Sequence, residues 1–104
     1  MGTPEGNVKA AVKGYLRTLP DCWWFMPAAH GYGVNGIPDF VGCYKGVFFA
    51  IETKAPGKLS RLTPLQRQQI AAINKAHGYA IVTDGLPRVV EMFRLINVSL
   101  GVAA

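Results

Sequence analysis

The chain reads as an α/β domain, with a mixed sheet flanked by helices, on three grounds. Apolar residues recur at helical spacing near the start, at Val8, Ala11, Val12, Tyr15, Leu16 and Leu19. Short β-rich runs follow between residues 22 and 54, bounded by Pro and Gly. A second helical stretch then leads to a strand near residue 80, the alternation that pairs two parallel strands through a right-handed helical crossover. At 104 residues the whole chain, 1–104, is expected to form one domain with one modest core.

The elements read in order. Thr3 is an N-cap with Pro4 at the first helical position, and Pro20 ends that helix. Cys22-Trp23-Trp24-Phe25-Met26 reads as a buried strand stopped by Pro27, its aromatic block serving a core or a dimer interface more readily than base stacking. His30 to Gly36 is a glycine-rich loop that spells a GxGxxG match. A dinucleotide site needs the last glycine to open a helix, and here Pro38 and a strand pattern follow, so a mobile loop beside a site is expected instead.

Ile37 to Lys54 reads as a hairpin with arms Asp39–Tyr44 and Val47–Lys54 and Lys45-Gly46 at its tip. The strand Val47–Ile51 is apolar on both faces, as in a sheet covered by helices on both sides. Ala55 to Ser60 is a breaker-rich loop. Thr63-Pro64-Leu65-Gln66 opens a helix running to about His77, with Gly78 as its C′ residue. Tyr79–Thr83 is a strand, Asp84-Gly85 a turn, Pro87–Ile96 a last helix, and the tail after Asn97 is expected to be loose.

Composition narrows the function classes. Half the residues are hydrophobic and 16% are charged, which excludes a disordered tail and leaves apolar area to face another protomer or a ligand. Eleven Lys and Arg against six Asp and Glu, net +5, favour a polyanionic partner. Apolar runs such as Val47–Ile51 are far too short to span a bilayer, and the first residues lack the pattern of a signal peptide. Cys22 and Cys43 have no metal-ligand spacing and read as two buried free thiols in a reducing compartment, the cytoplasm.

Two of the six acids fall on the hairpin. A two-residue tip makes Tyr44 oppose Val47, and the same register sets Asp39 opposite Glu52, with Cβ atoms roughly 5 Å apart. Like charges so placed repel, so a cation between them is implied. Lys54, two residues on, shares the face of Glu52. Carboxylate oxygens select a hard cation such as Mg²⁺. A purely structural Asp–Lys–Glu cluster at a sheet edge is the alternative.

Gly36-Ile37-Pro38-Asp39, then Gly46 and a hydrophobic strand ending in Glu52-Thr53-Lys54, resembles the signature of the PD-(D/E)XK nucleases. The run Lys58-Leu59-Ser60-Arg61-Leu62-Thr63-Pro64-Leu65-Gln66, followed by Gly78, is similar to one subgroup, the virus-type replication-repair nuclease (VRR-NUC) domain in its stand-alone bacteriophage form. The resemblance covers about residues 5 to 85. It implies a restriction-endonuclease-like αβββαβ core. It implies that Asp39 and Glu52 bind Mg²⁺, with Mn²⁺ substituting and the Thr53 carbonyl as a third protein ligand. Lys54 would then orient or help deprotonate the attacking water, Glu5 would join the metal site, and Gln66 would stand near the scissile phosphate.

Glu5 also suits the first-turn dipole of its helix, and Gln66 suits a capping box, so the two roles of Gln66 are expected to compete for one amide. Lys45, Lys58 and Arg61 are candidate phosphate contacts, or simply solvated charges. His77 reads as a helix cap, and His30 beside the glycine loop is a weaker candidate for reaching substrate. Arg67, Arg88 and Arg94 read as helix-surface charges.

The implied activity is metal-dependent, structure-selective endonucleolytic cleavage of branched DNA, a Holliday junction or flap. A homodimer would perform it without a nucleotide cofactor or a membrane, in the host cytoplasm if the chain is phage-encoded. A non-cleaving DNA-binding protein on the same scaffold, or a nuclease of single-stranded or linear ends or of RNA, are the alternatives.

Overall fold

The computed structural model describes residues 2–28 and 33–102. Its elements are α1 (Pro4–Leu16), β1 (Cys22–Phe25), β2 (Phe40–Tyr44), β3 (Val47–Thr53), a 3₁₀ turn (Leu59–Arg61), α2 (Pro64–Lys75), β4 (Tyr79–Thr83) and α3 (Leu86–Ser99). The four strands form one mixed sheet in the order β1-β2-β3-β4, antiparallel up to β3 and parallel between β3 and β4. With its three helices this is an α/β fold.

The hairpin register is the one that a two-residue tip dictates. Tyr44 pairs with Val47 and Phe40 with Ile51. Lys45 and Gly46 both take positive φ, 50° and 86°, the conformation of a type I′ turn. On one sheet face Phe40, Tyr44, Phe49 and Ile51 meet Val8, Val12 and Leu16 of α1 and Val89, Met92, Phe93 and Ile96 of α3. Phe93 stands edge-on to Phe49 and Tyr44, at centroid distances of 5.0 and 5.1 Å. The opposite face carries Phe48, Ala50 and Glu52 of β3, with Lys54 one residue beyond its end, alternating with the core-facing set.

Several boundaries differ from the sequence expectation, each for a local reason. α1 stops at Leu16 because Thr18 and Leu19 bond back three residues, to Tyr15 and Leu16, and tighten the chain ahead of Pro20. α2 stops at Lys75. His77, not Gly78, takes the left-handed C′ position at φ 70°, with Gly78 N–H bonded to Ile73 O and His77 N–H to Asn74 O. Gly78 is needed for a different reason, since a Cβ there would lie 2.8 Å from Ile73 Cγ2. α3 begins at Leu86 and continues to Ser99, so the segment after Asn97 is not loose. Tyr44 donates its hydroxyl to Asn97 Oδ1 at 3.0 Å, and Val102 N–H bonds Asn97 O.

The expectation of a buried β1 is also corrected, and the helical cover of the second sheet face is partial. β1 is an edge strand that ends at Phe25, and it alternates between half-buried and exposed residues. Trp24 packs towards the core, while Trp23 is 66% exposed, and Phe25 and Phe48 are each 46% exposed. α2 contacts β3 and β4 and leaves this part of the second face open. The cysteines are unbridged but not both buried. Cys22 is half-buried on the core side and Cys43 is exposed, pairing with Trp23 and Phe48 on its two flanks. Among the described residues no helix is long and apolar enough to cross a membrane.

Candidate active site

Three elements converge where β2 begins and β3 ends. Asp39 lies one residue before β2, so the hairpin register carries it to the level of Glu52. Its carboxylate is anchored there by Thr53, whose backbone N–H and hydroxyl both donate to Asp39 Oδ2, at 3.0 and 2.5 Å. Glu52 is held in β3, paired with Val82 of the parallel strand. Lys54 N–H bonds Thr83 O at 2.9 Å, which extends that pairing and fixes the direction of the Lys54 side chain. Lys54 Nζ sits 3.4 Å from Glu52 Oε2.

The same carboxylate oxygen receives a hydrogen bond from Gln66 Nε2 at 3.2 Å. Gln66 Oε1 meanwhile accepts from Thr63 N–H at 3.0 Å, and Thr63 Oγ1 accepts from Gln66 N–H, completing the capping box of α2. The capping role and the contact with Glu52 do not compete. A carboxamide has an acceptor end and a donor end, and each serves one of them. Helix initiation therefore also aims a donor at the acidic site.

The loop before Asp39 presses on this arrangement. Gly36 has φ 79°, and a Cβ there would fall 2.5 Å from the Leu65 carbonyl carbon and 2.8 Å from Gln66 N. Only glycine lets the Gly36–Asp39 segment lie against the first turn of α2, the turn that presents Gln66.

The electrostatics of the cluster are dominated by Glu52. Only 3% of the residue is exposed, and Lys54 is 8% exposed. Burial pushes the Glu52 carboxyl up to about 7, and the nearby Asp39 charge pushes in the same direction, against Lys54 and the Asp39 backbone amide, which favour the ionised form. Glu52 Oε1 is buried and has no hydrogen-bond partner among the described residues. An orphaned carboxylate oxygen in such a place costs free energy on the order of 1–3 kcal/mol, more when charged. It is a feature that a bound cation would satisfy.

The outer side of the cluster contains a residue that the motif did not single out. Lys9 Nζ lies 3.4 Å from Glu5 Oε2 and 3.8 Å from Asp39 Oδ1. The available signal was its position four residues after Glu5 on the same helix face. Glu5 lies in the first turn of α1, as its dipole role requires, and its carboxylate meets Lys9. Among the described residues no group of three or more His, Cys, Asp or Glu side chains converges as a ready metal cage. The acidic pair that does share the site is Asp39 and Glu52, beside Thr53.

The remaining candidates divide by position. Lys58 and Arg61 are exposed on the segment between β3 and α2, which leaves the site directly after Lys54. Lys45 is at the hairpin tip, the end remote from Asp39, with its Nζ over the Tyr44 ring at 5.2 Å. His77 caps α2 away from the cluster. His30, with Gly31 and Tyr32 of the glycine-rich loop, lies outside the described residues. Compared with protein-family models, with curated proteins and with solved structures, the chain matches none.

Proposed function

We propose that the chain is a divalent-metal-dependent endodeoxyribonuclease of the PD-(D/E)XK type, resembling the stand-alone VRR-NUC domain and built on a restriction-endonuclease-like core. The observation that carries this reading is the buried Glu52 Oε1, without a partner among the described residues, beside Asp39 and Lys54. A structural ion-pair cluster is expected to satisfy its own buried oxygens, whereas a cation site leaves one for the ion.

Asp39 and Glu52 would hold Mg²⁺ or Mn²⁺, with the Thr53 carbonyl as a further oxygen ligand. Such an ion supplies a lowered water pKa and charge stabilisation at the phosphorus. The protein's own groups do the positioning. Thr53 fixes one Asp39 oxygen and so directs the other. Gln66 orients the Glu52 carboxylate through Oε2. Lys54, its ammonium held at Glu52 in a nearly dry setting, offers donors to the attacking water and to a phosphate oxygen. Lys58 and Arg61 offer charge to the adjoining backbone phosphates.

Branched DNA as substrate, a homodimer as the acting unit and the host cytoplasm as location belong to this proposal. The exposed Trp23–Phe25–Phe48 face supports an apolar partner surface. The test is a labelled four-way junction, a flap and a linear duplex, incubated with wild type or Asp39→Asn in Mg²⁺, Mn²⁺ or chelator. Asparagine retains an acceptor for Thr53 and removes the charge. Metal-dependent cutting of the branched substrates, lost in Asp39→Asn while binding persists, is the expected result. Binding without cutting in either metal would establish the non-cleaving alternative, and equal cutting of linear duplex would remove the structure selectivity.

A further inference from the structure

The position of Lys9 bears on how many ions the site takes. Two carboxylates, Glu5 and Asp39, converge on one ammonium, at 3.4 and 3.8 Å. They come from different elements, one from α1 and one from the entry to β2, so the contact is tertiary and not a helix-surface pair alone. The other Asp39 oxygen is taken up by Thr53, and Glu52 Oε2 by Lys54 and Gln66. Among the described residues Glu52 Oε1 is left without a partner.

We propose that Lys9 occupies, with a single fixed charge, the position between Glu5 and Asp39 that a second metal ion would otherwise take, so that the site binds one divalent cation and not two. This inference rests on the metal site proposed above and deepens it.

Charge balance supports it. With Glu52 ionised, three carboxylates, Glu5, Asp39 and Glu52, face two ammonium groups, Lys9 and Lys54, for a net −1. One divalent ion brings the cluster to a single positive charge, which one phosphodiester neutralises. A second divalent ion beside Lys9 would leave an excess of two positive charges even with the phosphodiester in place. Removing Lys9 lowers that excess to one and vacates the Glu5–Asp39 position. The ion pairs themselves are partly exposed, with the Lys9 side chain at 35% and Glu5 at 42%, so they contribute little to folding. What Lys9 changes is the field met by a competing cation.

The experiment counts Mn²⁺ bound to the full chain without DNA, by calorimetry and by electron paramagnetic resonance of free Mn²⁺, for wild type, Lys9→Met and Lys9→Gln. Both variants keep most of the side-chain stem, and circular dichroism checks that they fold. One ion per chain in wild type and two in each variant is the expected result. One ion in all three overturns the role of Lys9 and leaves the metal site standing. Two ions in wild type overturns it as well. No Mn²⁺ binding in wild type overturns the metal site itself, and this inference with it.

Discussion

The Glu52 carboxyl makes stability depend on pH in an unusual direction. Its pKa in the folded chain is raised from 4.5 to about 7, chiefly by burial. A carboxyl raised in this way binds its proton more tightly folded than unfolded. Its contribution to stability is therefore fully present below pH 4.5 and is lost as pH climbs through about 7. Between pH 5 and pH 8 the linkage is on the order of 2–3 kcal/mol, at 1.36 kcal/mol per pKa unit. For a domain of this size that corresponds to a fall in Tm on the order of 10–15 °C. Glu52→Gln isolates it, since that change keeps the shape and an acceptor for Gln66 but cannot ionise. Urea denaturation in the presence of chelator at both pH values gives the difference directly. Wild type should lose on the order of 2–3 kcal/mol more than Glu52→Gln over that interval. Parallel pH profiles, equal to within about 0.5 kcal/mol, would refute the claim that Glu52 carries the burial cost of this site.

Other expectations follow from the same contacts. Gly36→Ala should destabilise the chain by about 2 kcal/mol or more, because its positive φ and the close approach to Leu65 both disfavour a Cβ; thermal melts will show it, and an unchanged Tm would contradict the packing. Gln66→Ala removes the acceptor for Thr63 and the donor to Glu52, and should lower stability by about 1–2 kcal/mol and cleavage by roughly tenfold or more, with DNA affinity little changed. Lys58→Ala and Arg61→Ala should each reduce the slope of log affinity against log salt by about 1 if they meet phosphates, as fluorescence anisotropy at graded salt would measure. Saturating Mg²⁺ should raise the Tm of wild type more at pH 8 than at pH 6, since the ion requires ionised Glu52, and differential scanning calorimetry would detect the reverse.

The order of elements and the hairpin register were legible in the local pattern of the chain. Lys45-Gly46 admits a two-residue turn, and once Tyr44 faces Val47 every later pair, up to Asp39 at the level of Glu52, follows from the two-residue period of a strand. It also marked Thr63 and Gln66 as a capping box, because that signal is local. Local signals could not tell which strand would be an edge. Trp23-Trp24-Phe25 looks the same whether a helix covers it or not, and exposure was decided by α2 settling over β3 and β4. Nor could they show Lys9 meeting Asp39, Gln66 reaching Glu52, or one Glu52 oxygen left bare. Those contacts join residues from separate elements, and their electrostatics depend on how much water the packed elements exclude, a quantity that exists only once the chain has folded.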